Sequence, residues 1–264
     1  MPTSAALRLT IERSLQDRFP AALTPSSRTI REVAPTGVAH VDQLLDGGFP
    51  VGAISELTGP DSSGRTSLTM SFLARRTVEG KVCAWVDASD AFDPESAAAN
   101  GVSLPQLLWV RCRDVAATSR SRSTDGGAAQ HTKPWARLDQ ALRATDLLLQ
   151  AGGFAAIVLD LGDMAPEHGR RIPLATWFRF RQAADRTRCC LVVLAKAAYA
   201  QSSAALVLKF APMHAHVKGG TVLHGFTCAV ERERERFAPA LHDGRKPPAS
   251  VWTAEAVWSA GRRA

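Results

Sequence analysis

Residues Gly59 to Thr66 read G-P-D-S-S-G-R-T, the pattern of a phosphate-cradling loop, G-x-x-x-x-G-K-[S/T], with arginine in the lysine position. In that pattern the glycines let backbone N–H groups wrap phosphates, the lysine reaches the terminal phosphates, and the hydroxyl holds magnesium. Gly59, Gly64 and Thr66 are in place, Pro60, Asp61, Ser62 and Ser63 fill the loop, and Ser67 follows it. Arg65 keeps the positive charge but is longer, planar and forked, so it is not a conservative replacement for a compact ammonium. The loop is expected to hold a nucleotide, ATP with magnesium, while positioning its terminal phosphate badly for chemistry.

The flanks agree with that reading. Ala53 to Leu57 (A-I-S-E-L) predicts a short strand feeding the loop, and Ser67 to Arg75 predicts a helix leaving it, with Leu68, Met70, Phe72 and Leu73 as apolar positions. Strand, glycine loop and helix N-terminus together make an anion site, because unpaired N–H groups and the helix dipole converge there. Further along, Lys81 to Asp87, Leu107 to Val110, Phe154 to Leu161 and Cys189 to Ala195 predict strands. Their near-continuous apolar character suits a parallel sheet covered on both faces. Leu206 to Phe210 and Val222 to Val230 predict later strands. Between them, Val38–Leu45, Pro94–Asn100, Trp135–Gln150 and Pro173–Arg188 carry helical signals, closed by Gly47 and Gly48, Gly101, or Gly152 and Gly153 where such glycines follow. Phe154 to Leu161 (F-A-A-I-V-L-D-L) ends in an acid about a hundred residues after the glycine loop. Asp160 would there orient magnesium through water, with Thr66 as the hydroxyl partner.

Composition bounds the rest. The chain of 264 residues is 45% hydrophobic and carries 32 Lys+Arg against 25 Asp+Glu, a formal charge of +7. That balance favours nucleic acid or an acidic partner, although where the charge sits matters more than its sum. The five cysteines (83, 112, 189, 190 and 228) lack metal-ligand spacing and several lie in apolar runs. They are expected to be buried, reduced thiols of a cytoplasmic protein. No apolar run is long enough to span a membrane, and no secretory segment is expected.

Three segments stand apart. Residues 1–27 form an N-terminal helix and linker, with Leu7, Ile11, Leu15 and Phe19 on one stripe that packs on its own core or docks on a neighbouring subunit. Residues 28–237 are the core, interrupted at 114–134 by a polar, basic loop whose Arg120, Arg122 and Lys133 reach a phosphate backbone or are simply solvated. Residues 238–264 form a tail in which Trp252 and Trp258 are candidate partner-binding anchors or, equally, part of a terminal element packed on the core.

Read together, Thr36 to Leu68, Cys83 to Pro94, Ala156 to Leu161 and Leu208 to Phe210 resemble the ATPase core of bacterial RecA recombinase. The resemblance implies an α/β fold, a RecA-like P-loop NTPase core with a mainly parallel central sheet flanked by helices. Departures fall where RecA turns over ATP. Its lysine becomes Arg65, its catalytic glutamate falls at Ser89, its adenine-flanking aromatic at Ser96 and its γ-phosphate-sensing glutamine at Lys196. Serine cannot act as a carboxylate base, which leaves Asp90 as the candidate replacement, shorter and expected to point elsewhere. Arg234 and Arg236 in the run E-R-E-R-E-R fall where RecA has lysines that reach a neighbour's ATP; the run also reads as a solvent-exposed charged face. Segments 162–172 and 197–205 stand where RecA has its DNA-binding loops, the second of them shortened.

A RecA frame with these losses is similar to the ImuA family, the RecA-like members of a bacterial SOS mutagenesis cassette; SulA-like cell-division inhibitors are more distant and lack the loop. The resemblance implies an accessory role in translesion synthesis with an ImuB-like inactive Y-family polymerase homologue, an error-prone DnaE-type polymerase reached indirectly, and RecA as a further contact. Nucleic acid would be bound weakly or indirectly, self-association is open, and ATP turnover would be weak or absent. The competing expectation is a DNA-dependent ATPase that forms filaments on single-stranded DNA.

Overall fold

A computed structural model describes residues 32–113, 135–219, 222–236 and 247–255; the N-terminal stripe, the 114–134 loop and Trp258 lie outside them. In chain order the elements are β1 (Val33–Ala34), α1 (Ala39–Leu44), β2 (Phe49–Pro50), β3 (Ile54–Thr58), α2 (Arg65–Val78), β4 (Cys83–Asp87), α3 (Pro94–Ala99), β5 (Leu107–Arg111), α4 (Trp135–Ala151), β6 (Ala156–Asp160), α5 (Pro166–Gly169), α6 (Leu174–Thr187), β7 (Cys190–Ala195), β8 (Ala204–Phe210), β9 (His214–Lys218), β10 (Val222–Glu235) and β11 (Ala249–Glu255).

The main sheet runs β11-β10-β8-β3-β7-β6-β4-β5, with β9 also on β10. From β8 to β5 every neighbouring pair is parallel, whereas β10 pairs antiparallel with β8, β9 and β11. β1 and β2 make a separate antiparallel pair. The expected mainly parallel sheet is present, extended at one side by an antiparallel set.

Strand periodicity sorts side chains onto two cores. Along β7, Leu191 and Val193 join Ile157 and Leu159 of β6 against Leu138 and Leu149 of α4 and Trp177 and Phe180 of α6. Val192 and Leu194 turn the other way with Val158 and Trp85, against Leu68, Phe72 and Leu73 of α2. Both faces are therefore dry, which explains why β3, β4 and β7 are buried along their whole length. All five cysteines are buried and unpaired, and burial pushes the Cys83 and Cys190 thiols up to about 12.

Helix α2 begins at Arg65, two residues before the sequence signal, because Gly64 takes the left-handed conformation (φ 90°) as its N-cap. It also runs past Arg75 to Val78. β10 reaches Glu235, so the alternating charges from Glu231 lie in a strand, where Glu233 is exposed and Glu231, Arg232, Arg234 and Glu235 are half-buried. Arg232, only 14% exposed in its side chain, pairs with Glu235 and donates to the Leu44 carbonyl. The segment set apart as a tail carries β11, which pairs with β10 from Gly225↔Glu255 to Glu231↔Ala249.

Candidate functional site

The loop from Gly59 to Gly64 joins the C-terminal end of β3 to α2, at the level where β4, β6 and β7 also end. Crevices at the carboxyl ends of parallel strands are where open α/β sheets bind ligands. Backbone strain marks the loop, with Gly59 at φ 151°, Ser62 at 55° and Gly64 at 90°. A Cβ on Gly59 would stand 2.7 Å from the Phe210 carbonyl oxygen, so this glycine answers to a close approach of β8. Pro60, Asp61, Ser62, Thr66 and Ser67 are exposed, and Ser63 is buried.

A cavity of about 330 Å³ opens beside the loop. Asp61, Ser62, Arg65 and Thr66 line it from the loop and α2; Asp160, Gly162 and Asp163 line it from the end of β6; Phe92, Asp93 and Ser96 close the far side. The loop, Thr66 and Asp160 are thus brought together as the sequence pattern requires. Ser96 is spent locally, its hydroxyl donating to Asp93, the N-cap of α3. Asp160 accepts from the Gly162 N–H at 2.9 Å. Burial nevertheless pushes its carboxyl up to about 6, with the negative charges of Asp87 and Asp163 adding to the rise and Arg65 opposing it.

Arg65 lines the cavity wall, but its guanidinium is held by protein acceptors. Its residue is 7% exposed, and its guanidinium donates through Nη1 to the Ala195 carbonyl at the end of β7 in a short hydrogen bond. Nη2 stands 3.6 Å from Asp61 Oδ1. Burial lowers the guanidinium's proton affinity, while Asp160 and Asp61 support its charge. Asp61 is bracketed by a second cation, because Lys196 Nζ is 3.0 Å from Oδ2.

The candidate base is also committed. Asp90 (φ 58°) holds Arg111 in a two-pronged pair, Nε to Oδ1 at 2.6 Å and Nη2 to Oδ2 at 2.9 Å. Arg111 holds this carboxyl below its usual range, which works against proton abstraction. Asp90 does not line the cavity. Ser89 does not line the cavity either, and its N–H donates to Asp87 at 3.2 Å.

Two buried carboxylates that sequence reading passed over shape the site. Asp87 accepts from the N–H groups of Ser89, Ala91 and Phe92 and from Trp109 Nε1, fixing the turn that carries Phe92 to the cavity. Glu56, inside β3 and fully buried, accepts from the Tyr199 and Ala200 N–H groups at 2.7 and 2.9 Å. Burial pushes its carboxyl up against the pull of those two donors. The available signal was a lone acid within an apolar strand, A-I-S-E-L. Arg234 donates to the Gln201 carbonyl at 2.5 Å and so braces the same segment from β10. Trp252 is half-buried against the α2-side core, its ring stacked 6.5 Å from His40.

Residues 6–116 match the RecA N-terminal domain. Protein RecA of Prochlorococcus marinus (strain MIT 9303) is 42% identical over 98 residues, 37% of this chain and 26% of that protein. Protein RecA of Ruegeria pomeroyi is 36% identical over 130 residues, 49% of this chain and 31% of that protein. The chain thus matches between a quarter and a third of the length of these relatives. The crystal structure of the RadB recombinase superposes with a TM-score of 0.54 at 18% identity, over 78% of this chain and 92% of that one. The chain is RecA-like by sequence across its first half and has the RecA/RadB fold. Among the described residues no helix is long and apolar enough to cross a membrane.

Proposed function

We propose that this RecA-like chain is an accessory protein of SOS mutagenesis and translesion synthesis that holds Mg-ATP in the Gly59 loop with little or no hydrolysis and works by binding partner proteins. The partners in this reading are an ImuB-like inactive Y-family polymerase homologue, an error-prone DnaE-type polymerase reached through it, and RecA. The observation that carries the reading is the commitment of Arg65 to the Ala195 carbonyl and Asp61. It leaves the phosphate cradle in place and removes its usual terminal-phosphate cation.

The residues fit a nucleotide better than they fit its turnover. Asp61 and Ser62 of the loop, the exposed Thr66 and Asp160 line one cavity, and Thr66 with Asp160 would hold magnesium there. Bound Mg-ATP would supply charge that orders the loop. For hydrolysis a carboxylate must face the attacking water, and the nearby candidate, Asp90, is paired with Arg111 outside the cavity.

ATP turnover with and without single-stranded DNA tests the catalytic half of the proposal. Turnover near the uncatalysed background in both conditions is expected. Robust DNA-stimulated hydrolysis, abolished in Asp90→Asn, would instead establish a DNA-dependent motor. Co-purification with an ImuB-like protein tests the adaptor half, and absence of a complex at micromolar concentrations of both proteins would remove it.

A further inference from the structure

We propose that the outer face of α6, anchored by Leu174 and Phe178 within a margin of arginines, is where an acidic amphipathic helix of the partner protein docks. The inference rests on the partner-binding half of the proposed function and gives that half a surface.

α6 is seated by one stripe and exposes another. Trp177, Phe180, Ala183 and Ala184 are buried, and they hold the helix to the core without Leu174 or Phe178. Those two side chains stay 53% and 46% exposed. They lie four residues apart, with Arg181 three further on, so all three share one face of the helix. The Arg181 guanidinium stands 4.7 Å from the centroid of the Phe178 ring, a stacking that keeps the cation beside the apolar pair. Two large apolar side chains one turn apart make the kind of ridge against which a second helix packs.

Charge selects the partner. From 170 to 188 the chain carries six arginines (170, 171, 179, 181, 186 and 188) and one acid, Asp185. Arg179 and Arg188 are matched within the chain, at 3.0 Å from Asp146 and 2.6 Å from Glu32. The net positive charge that remains around Leu174 and Phe178 complements acidic side chains flanking an apolar stripe. The approach to this face is also fixed. A Cβ on Gly169 would run into the Tyr199 ring, and Glu56 holds the Tyr199 and Ala200 N–H groups, so the chain entering α6 is braced against the segment after β7. A preformed surface loses little freedom on binding. A nucleic acid strand is served less well, because Phe178 offers a stacking face for one base and Leu174 offers none for the next.

Calorimetric titration of the full chain with the purified ImuB-like protein tests this, using wild type, Leu174→Ala, Phe178→Ala and Arg181→Glu, each compared at equal folded fraction. Val78→Ala serves as control, since Val78 on α2 is an apolar side chain exposed elsewhere. Phe178→Ala is expected to weaken the complex by roughly tenfold or more and Leu174→Ala by about three- to tenfold, with Val78→Ala unchanged. Arg181→Glu sets a like charge against the acidic partner and is expected to weaken the complex most at low salt. A wild-type complex that Phe178→Ala and Leu174→Ala leave unchanged would overturn the surface and leave the adaptor reading standing. A complex indifferent to both salt and Arg181→Glu would overturn the acidic character of the docked helix. Binding of a single-stranded oligonucleotide that is lost in Phe178→Ala, with the protein complex intact, would make this face a nucleic-acid surface instead. If wild type forms no complex, the adaptor reading fails together with this one.

Discussion

Asp160 carries a charge whose burial works against the folded chain. Its carboxyl titrates at about 6 because burial disfavours the charged form. The folded chain therefore holds this proton more tightly than the unfolded chain does. The sign follows directly: this contribution to stability is greatest below the ordinary carboxylate pKa and falls as pH rises toward 6. At neutral pH the ionised group is a net cost, one that bound magnesium would relieve. Asp160→Asn keeps an acceptor for the Gly162 N–H and removes the charge. It is expected to raise unfolding free energy at pH 7.5 by on the order of 1–3 kcal/mol, the gain shrinking toward zero near pH 4. Denaturant melts at the two pH values check this; an equal gain at both would mean that charge is not the cause. Little at this scale could be foreseen from sequence. Arg65 was readable as a departure, but its destination depends on where β7 ends, 130 residues away. Asp90 finds Arg111 because the β4–β5 register sets Asp87 beside Arg111, a pairing that no local pattern announces.

Between elements, Glu56 joins the strand that feeds the glycine loop to the segment after Lys196. Its Oε1 takes both the Tyr199 and Ala200 N–H groups, and Arg234 fastens the next turn at Gln201. Lys196 is thus held near the loop by a short, doubly pinned stretch of chain. Glu56→Ala would strand two buried donors, at a cost of roughly 1–3 kcal/mol after relief of the buried charge. Amide hydrogen exchange at Tyr199 and Ala200 is expected to quicken by about tenfold or more, with α6 little changed and Glu56→Gln close to wild type. Uniform quickening across the chain would show global destabilisation and not a local pin. The elements themselves were far more legible than their ties. β3, β4, β6 and β7 stand out because strands dry on both faces are apolar throughout. α4 and α6 are visible because one face is dry and the other wet. β1 and β2 are two residues each, and β9 is exposed along its length, so neither apolar run nor alternation marks them. β11 is hidden for another reason: with β10 on one side and few covered side chains, its pairing is carried by backbone hydrogen bonds, which any sequence can make.

For the whole molecule, the position of β11 decides how partner binding can be tested. Trp252 and Ser250 are half-buried while Val251 and Thr253 point outward, and the Trp252 ring lies on His40 of α1. Removing residues 242–264 would take a strand from the sheet, uncover one edge of β10 from Gly225 to Glu231, and expose the apolar surface beneath Trp252. An uncovered edge of that length invites pairing between chains. The truncated protein is therefore expected to melt several degrees lower than the full chain and to aggregate at lower concentration. Trp252→Ala alone is expected to cost roughly 1–3 kcal/mol, less than for a fully buried tryptophan. Loss of partner binding in either variant would then confound interface with fold. Val251→Asp separates the two, since Val251 is 62% exposed and its change leaves the packed face intact. If β11 carries the interface, Val251→Asp should weaken the ImuB-like complex at an unchanged melting temperature. Unchanged affinity in Val251→Asp, with affinity in Trp252→Ala falling only in step with the folded fraction, would move the interface off this strand. A truncated chain as stable and soluble as the full one would remove β11 from the folded sheet altogether.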